Sequence, residues 1–573
     1  MKRLLLIFTA ITIGYCSFGQ TSGEKNSPVL NRTWSGAAHT ANWNTPGNWV
    51  GSVVPASADN IIIPQITGSG LQYPNLVAGP EISCINLTIN AGASLNIDAG
   101  GELTINGRLS IATTANMVIK SQGSVITNGT VTGKATVQRN INPDLKWHFL
   151  SSPVSGQKIC NGIFAPTFPG TFPGNIETWD LYNWLPNCPT PPDEHWRNLR
   201  NPDGTVNTVD FPLLAFADSR GYLVAYGTGW ATTKSFIGPL NTADKVLAFY
   251  DLITDCSWAL PGNPFPSAVD WSLVEGKENL TSPYYYIWND ATGNYEFWMD
   301  DLHGSANADG FIPSMQGFFI QVNVNGEKNL YIPNSARAHH NDVDYWLKET
   351  PANKLSIKLS NGTNYNDETF VMFEKNSAIG RDRSDAEKLF SLSHDVPQIY
   401  TIIDNNYKAC LNSMPNVENG ATVPLGIIAP VDGDYSLSVK GIESFSSLTG
   451  LSLEDLKMNT TQDLLQNPVY NFTAAGNEDA SRFVLHFSGT IGIGEKSNST
   501  VNIYASEQTV FITCDAGFHN AQVTISNLLG QQILTRKLGN QVSNQIQVNA
   551  TKGYYIIKVQ DESSVKTAKV YIN

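Results

Sequence analysis

Three stretches of this chain place a nucleophile or a carboxylate beside a base: Ser155-Gly156-Gln157-Lys158, Asp193-Glu194-His195 and Asp300-Asp301-Leu302-His303. The first matches a Ser-x-x-Lys pattern, in which a lysine activates a serine for acyl transfer. It stands without the companion motifs of such enzymes, and a pattern with two fixed positions recurs by chance in a chain of 573 residues. The other two could bind a cation or move a proton. Adjacent residues of this kind on loops are more often simply solvated, and His339-His340 reads the same way. No Gly-x-Ser-x-Gly, no His-Glu-x-x-His and no phosphate-binding loop is present. The motifs of enzymes and cofactor sites are thus missing, so neither catalysis nor a cofactor or metal is expected. A glycosidase pair of carboxylates remote in sequence is the rival reading.

Aromatic side chains offer a different chemistry. Trp184, Trp196 and Trp230 stand near Pro, Gly and charged residues, where loops are expected. Indole faces stack on the apolar faces of sugar rings, so these three are candidate glycan-binding residues. The competing role is filling a core. Six cysteines follow the first twenty residues, with no Cys-x-x-Cys pair or Cys/His cluster to hold zinc. Cys84, Cys410 and Cys514 read as small buried thiols. Cys160, Cys188 and Cys256 fall in one region, and Cys188 lies in a Pro-rich insertion. A Cys160–Cys188 disulfide closing that loop is expected, with Cys256 the alternative partner and three free thiols the other alternative.

Charged residues are only 15% of the chain, beside 47 Gly and 30 Pro, a balance that favours short strands and turns over helical bundles. A net charge of −14 leaves nothing to neutralise phosphates and excludes nucleic acid as a partner class. Lys2-Arg3 followed by an apolar run, with Ser17 and Gly19 before Gln20, reads as a signal peptide over 1–19. No other segment is apolar for long enough to span a bilayer. The length implies several domains.

The elements that would position these residues are all strands. Trp34, Trp43 and Trp49 open a turn-rich cap. Leu87-Thr88-Ile89, Leu95-Asn96-Ile97 and Leu103-Thr104-Ile105 then recur every eight residues, and Leu109-Ser110-Ile111 and Met117-Val118-Ile119 continue them. One strand plus one turn cannot bury its own apolar face. Stacked as β-solenoid rungs, which with the cap would occupy 20–137, such units would bury Leu95, Ile97, Leu103 and Ile105; a meander of hairpins is the alternative. An aromatic-rich β-sandwich over 138–348 carries the insertion, a second sandwich occupies 349–488, and 489–499 reads as a linker. From 500 to 573 six or seven short strands alternate with turns, as in a small Ig-like β-sandwich.

The tail also carries motifs in a fixed order: Ile503-Tyr504-Ala505-Ser506, Ile525 to Gln531 around Gly530, Gly553-Tyr554-Tyr555-Ile556-Ile557-Lys558-Val559, and Lys569-Val570-Tyr571-Ile572. In these it resembles the C-terminal sorting domain of cargo of the type IX secretion system. The Pro-Asn-Pro often found at the start of such domains is replaced by Ile503-Tyr504-Ala505. The resemblance implies that Gly530, Gly553, Tyr554 and Lys569 belong to a sorting signal. It implies binding to the type IX machinery, removal of the tail on export and, often, attachment to anionic lipopolysaccharide. The opening Trp motif with its repeats, and Pro261 to Ser267 with Met315 to Phe319, also resemble regions of such cargo. The expectation is an all-β protein, secreted or held on the outer surface, that binds a glycan or another surface ligand. The alternatives are a glycan-acting hydrolase and a purely structural surface component.

Overall fold

Strands of the repeat region pair in parallel at a spacing of 22 residues: Leu87 with Leu109, Leu95 with Met117, and Leu103 with Val125. In this computed structural model, which describes residues 29–489 and 501–572, three parallel sheets therefore run side by side. Internal segments outside the described residues include 168–177, 186–194, 249–257 and 341–351. Each eight-residue unit is one face of a three-sided coil, and the coil, not the unit, is the repeat. Three faces of seven to eight residues close one turn, so a strand finds its partner three units away. The side chains expected inside, Leu95, Ile97, Leu103 and Ile105, are fully buried.

Corners of the coil are held by stacked asparagines. Asn86 donates to Asn60 at 2.7 Å and Asn128 to Asn106 at 3.0 Å. A Cβ on Gly129 would lie 2.1 Å from the Gly107 carbonyl oxygen, so successive coils can approach at this corner only with glycine there. The first coil is closed by Trp34, Trp43 and Trp49, each at most 2% exposed and packed edge-on at 5.0 and 4.8 Å.

The solenoid does not end at 137. Strand Ala135–Asn140 pairs in parallel with Asn116–Ile119 and antiparallel with Thr233–Gly238, which carries the solenoid sheet into the aromatic region. That region holds two four-stranded antiparallel sheets, one around Tyr222–Tyr226 and one around Leu280–Asn289. Phe149, Tyr284, Tyr286, Phe297 and Phe319 fill the core beneath them. It is also docked on the solenoid by polar contacts. His339 bonds Thr104 at 2.8 Å and Ser124 at 2.7 Å, and Arg337 donates to the Thr127 carbonyl at 2.8 Å. His339 is thus a docking residue, not a solvated one.

Within the expected second sandwich, the strands from Lys354–Ser360 to Glu478–Gly489 pair into one continuous sheet of eleven strands. Its end strands, Thr460–Asp463 and Val469–Ala474, meet where Gln462 donates to the Asn467 and Val469 carbonyls, both at 2.9 Å. The curled sheet encloses Leu355, Ile427, Leu437 and Phe483. Residues 1–490 cluster as one compact unit and 491–573 as a second. The second pairs a three-stranded with a four-stranded antiparallel sheet around Ile512, Val523, Ile546 and Ile557. No helix among the described residues is long and apolar enough to cross a membrane. The signal-peptide residues 1–19 and all but the first residue of the 489–499 linker lie outside the described residues.

Candidate functional site

Hairpin Leu280–Asn289 and Asn294–Trp298 turns through Asp290 to Gly293 and presents its tip beside a solenoid corner. Between them lies a cleft of about 260 Å³. The solenoid contributes Gln122 and Arg139, the hairpin Trp288, Asp290 and Glu296, and the following loop Asp309, Phe311, Met315 and Gln316. Arg139 donates to Gln316 Oε1 at 2.7 Å and to the Ser314 carbonyl at 3.2 Å, fixing one wall. Asp309 accepts from the Phe311 amide at 3.0 Å and contacts His340 Nε2 at 2.7 Å, and that imidazole stacks on Phe311 at 4.0 Å. Glu296 accepts from Asn289 at 3.2 Å.

Two wall residues sit in the left-handed region without being glycine: Gln122 at φ +68° and Met315 at φ +60°. Such conformations cost free energy and concentrate at functional sites. Among the described residues the Trp288 indole N–H has no hydrogen-bond acceptor, although the residue is only 9% exposed. Aromatic rings, carboxylates and a guanidinium thus line a space of the size that holds one small polar ligand.

The tryptophans expected as a binding platform are placed otherwise. Trp184 and Trp196 do come together, edge-on at 4.9 Å, but Trp184 also stacks on His195 at 4.5 Å and donates to the Trp258 carbonyl. Both lean on Phe319 over the aromatic core. Trp230 belongs elsewhere, 5.3 Å from Tyr226 and over the buried Lys234 ammonium at 4.7 Å. None of the described tryptophans is exposed, and Trp184 and Trp196 are covered by each other and by the neighbouring His195 and Phe319 rings. The cleft residues were missed because they are scattered from 121 to 340, and no spacing announces them.

Cys160 is half-buried and has no disulfide partner among the described residues; the expected Cys160–Cys188 bridge and its alternative to Cys256 involve residues outside them. Asp193 and Glu194 lie there too, as do Asp301 and Leu302. Lys158 donates to the Leu213 carbonyl at 3.2 Å. His303 has more to do than a loop residue. Its Nδ1 contacts Asp300 and its Nε2 contacts Glu374, both at 2.8 Å.

Burial alone would lower the His303 pKa, but the bonds and charges of Asp300 and Glu374 outweigh it, and the net direction is up. A raised folded value stabilises the fold fully below the ordinary imidazole value, about 6.5, and that stability is lost as pH rises through the folded value. The melting advantage of the wild type over His303→Gln should therefore shrink from pH 5.5 to pH 9. A difference that does not move with pH would refute the ion bridge.

Tail positions are resolved individually. Gly530 sits at φ +79° in its turn, as only glycine does readily. Gly553 is not in the left-handed region: it starts the strand Gly553–Gln560 in register with Ile572, and its extended backbone accepts any side chain. Tyr554 is 52% exposed, and Lys569 pairs with Ile556 in the last strand.

The chain is an all-β body of solenoid and curled sheets with a second, two-sheet unit at its C-terminal end. The tail, residues 497–573, matches the secretion system C-terminal sorting domain, so the protein is a type IX-exported protein, secreted or attached to the cell surface. Residues 33–487 match the family described as a domain of unknown function, DUF8693, and the chain belongs to that family. No curated protein matches it significantly.

Proposed function

We propose that the exported body is a non-enzymatic binding protein whose cleft takes a glycan or a similar polyhydroxylated surface ligand. The supporting observation is the cleft at the solenoid corner, which Trp288 and Phe311 line together with Arg139, Asp290 and Gln316. Stacking faces with a few polar groups suit a sugar ring, and a volume of about 260 Å³ takes a small ligand. Both carboxylate oxygens of Asp309 are already engaged, which leaves that group a poor nucleophile. Anionic lipopolysaccharide would then be the anchor after tail removal, and the glycan a separate ligand.

Saturation-transfer NMR on the full chain, with neutral, amino and acidic oligosaccharides, tests this reading. At least one class should bind, and Asp290→Ala with Trp288→Phe should weaken it by about tenfold, roughly 1.4 kcal/mol. Unchanged binding in the double variant would move the site elsewhere. Cleavage of the oligosaccharide would replace binding by hydrolysis.

A further inference from the structure

Below the first cleft a different arrangement is buried in the second sheet. Lys388, which follows the short strand Ala386–Glu387, points its ammonium at Asp367 on strand Asn366–Phe373. Both side chains are 4% exposed. Nζ lies 2.7 Å from Oδ1 and 2.6 Å from Oδ2, so it faces the carboxyl carbon between them. Asp367 Oδ2 also accepts the Ile399 amide at 2.7 Å. Glu368 and Glu296 join the pair in lining a cavity of about 50 Å³.

We propose that Lys388 and Asp367 condense into an intramolecular amide, a covalent cross-link that closes the segment between them. Two opposite charges out of water are costly to hold, and a proton passing from ammonium to carboxylate leaves a neutral amine and a carboxylic acid. The amine lone pair attacks the Asp367 carboxyl carbon, and the Ile399 N–H faces the oxygen on which negative charge develops. The C–N bond forms, the C–OH bond breaks, and the departing hydroxyl takes a proton from nitrogen. One amide and one water result, with no oxidant, reductant or activated donor. The cavity has room for the leaving water, which needs about 10–15 Å³. Burial raises the Glu368 carboxyl above its ordinary range, so a group able to carry the proton lines the same space.

Intact mass of the full chain, purified folded and then denatured, reads the reaction directly. The expected mass is lower than that of the unlinked chain by one water. Trypsin should then leave Ser384 to Lys408 uncut at Lys388 and joined to Leu359 to Lys375. Lys388→Arg keeps a cation beside Asp367 but is not a comparable nucleophile, and it should restore the lost water. Full mass in a wild-type chain that unfolds cooperatively would overturn the proposal, as would a deficit that survives in Lys388→Arg.

Discussion

Fused to an inert periplasmic reporter, Ser497–Asn573 is expected to carry that reporter across the outer membrane of a host with type IX machinery, and the parent chain truncated before residue 497 is expected to stay in the periplasm. The tail forms a unit of its own, with Ile512, Val523, Ile546 and Ile557 in a core whose described members all lie within it. A module that buries its own apolar surface keeps its shape when moved, and an address read by a receptor should move with it. Immunoblots of periplasm, cell surface and medium decide the outcome. A reporter retained in the periplasm, beside an established sorting domain that exports the same reporter, would remove the tail's role. Within the tail, Gly530→Val should destabilise by about 1 kcal/mol, since φ +79° is strained for a branched residue. Gly553→Val should be tolerated, because its nearest non-adjacent atoms would be 3.9 Å from a new Cβ.

Ile97→Asp is expected to cost on the order of several kcal/mol in the stability of the body. Ile97 is fully buried, with Leu76 in register on one neighbouring coil and Ile119 on the other. A carboxylate there meets aliphatic side chains above and below, with no partner to offset its desolvation. Asn96, one residue earlier, faces the other way, and Asn96→Asp should change stability by no more than about 0.5 kcal/mol. Urea unfolding of both variants measures the contrast. Equal midpoints for the two would mean that the strand is turned outside in.

Alternation and turn residues were enough to establish the all-β class, the Leu and Ile ladders inside the repeat and the strands of the tail, because a two-residue period assigns each side chain to a face without reference to any other strand. The same period could not reveal the 22-residue coil. Pairing three units away depends on where the chain turns its corners, and stacked asparagines such as Asn106 and Asn128 do not stand out among the other polar residues of a repeat. It also could not separate exposed from covered tryptophans. Trp184 and Trp196 look like loop residues one at a time, yet they cover one another across paired strands.

What the sequence determined by itself was local: strand periodicity, turn chemistry and the ordered motifs of the tail, each written in neighbouring residues. Tertiary structure alone decided which distant residues meet. It brought Arg139 to Gln316, His303 to Glu374 and Lys388 to Asp367. These are contacts between side chains 21 to 177 residues apart, and the closing of sheets, not any spacing along the chain, sets their distances.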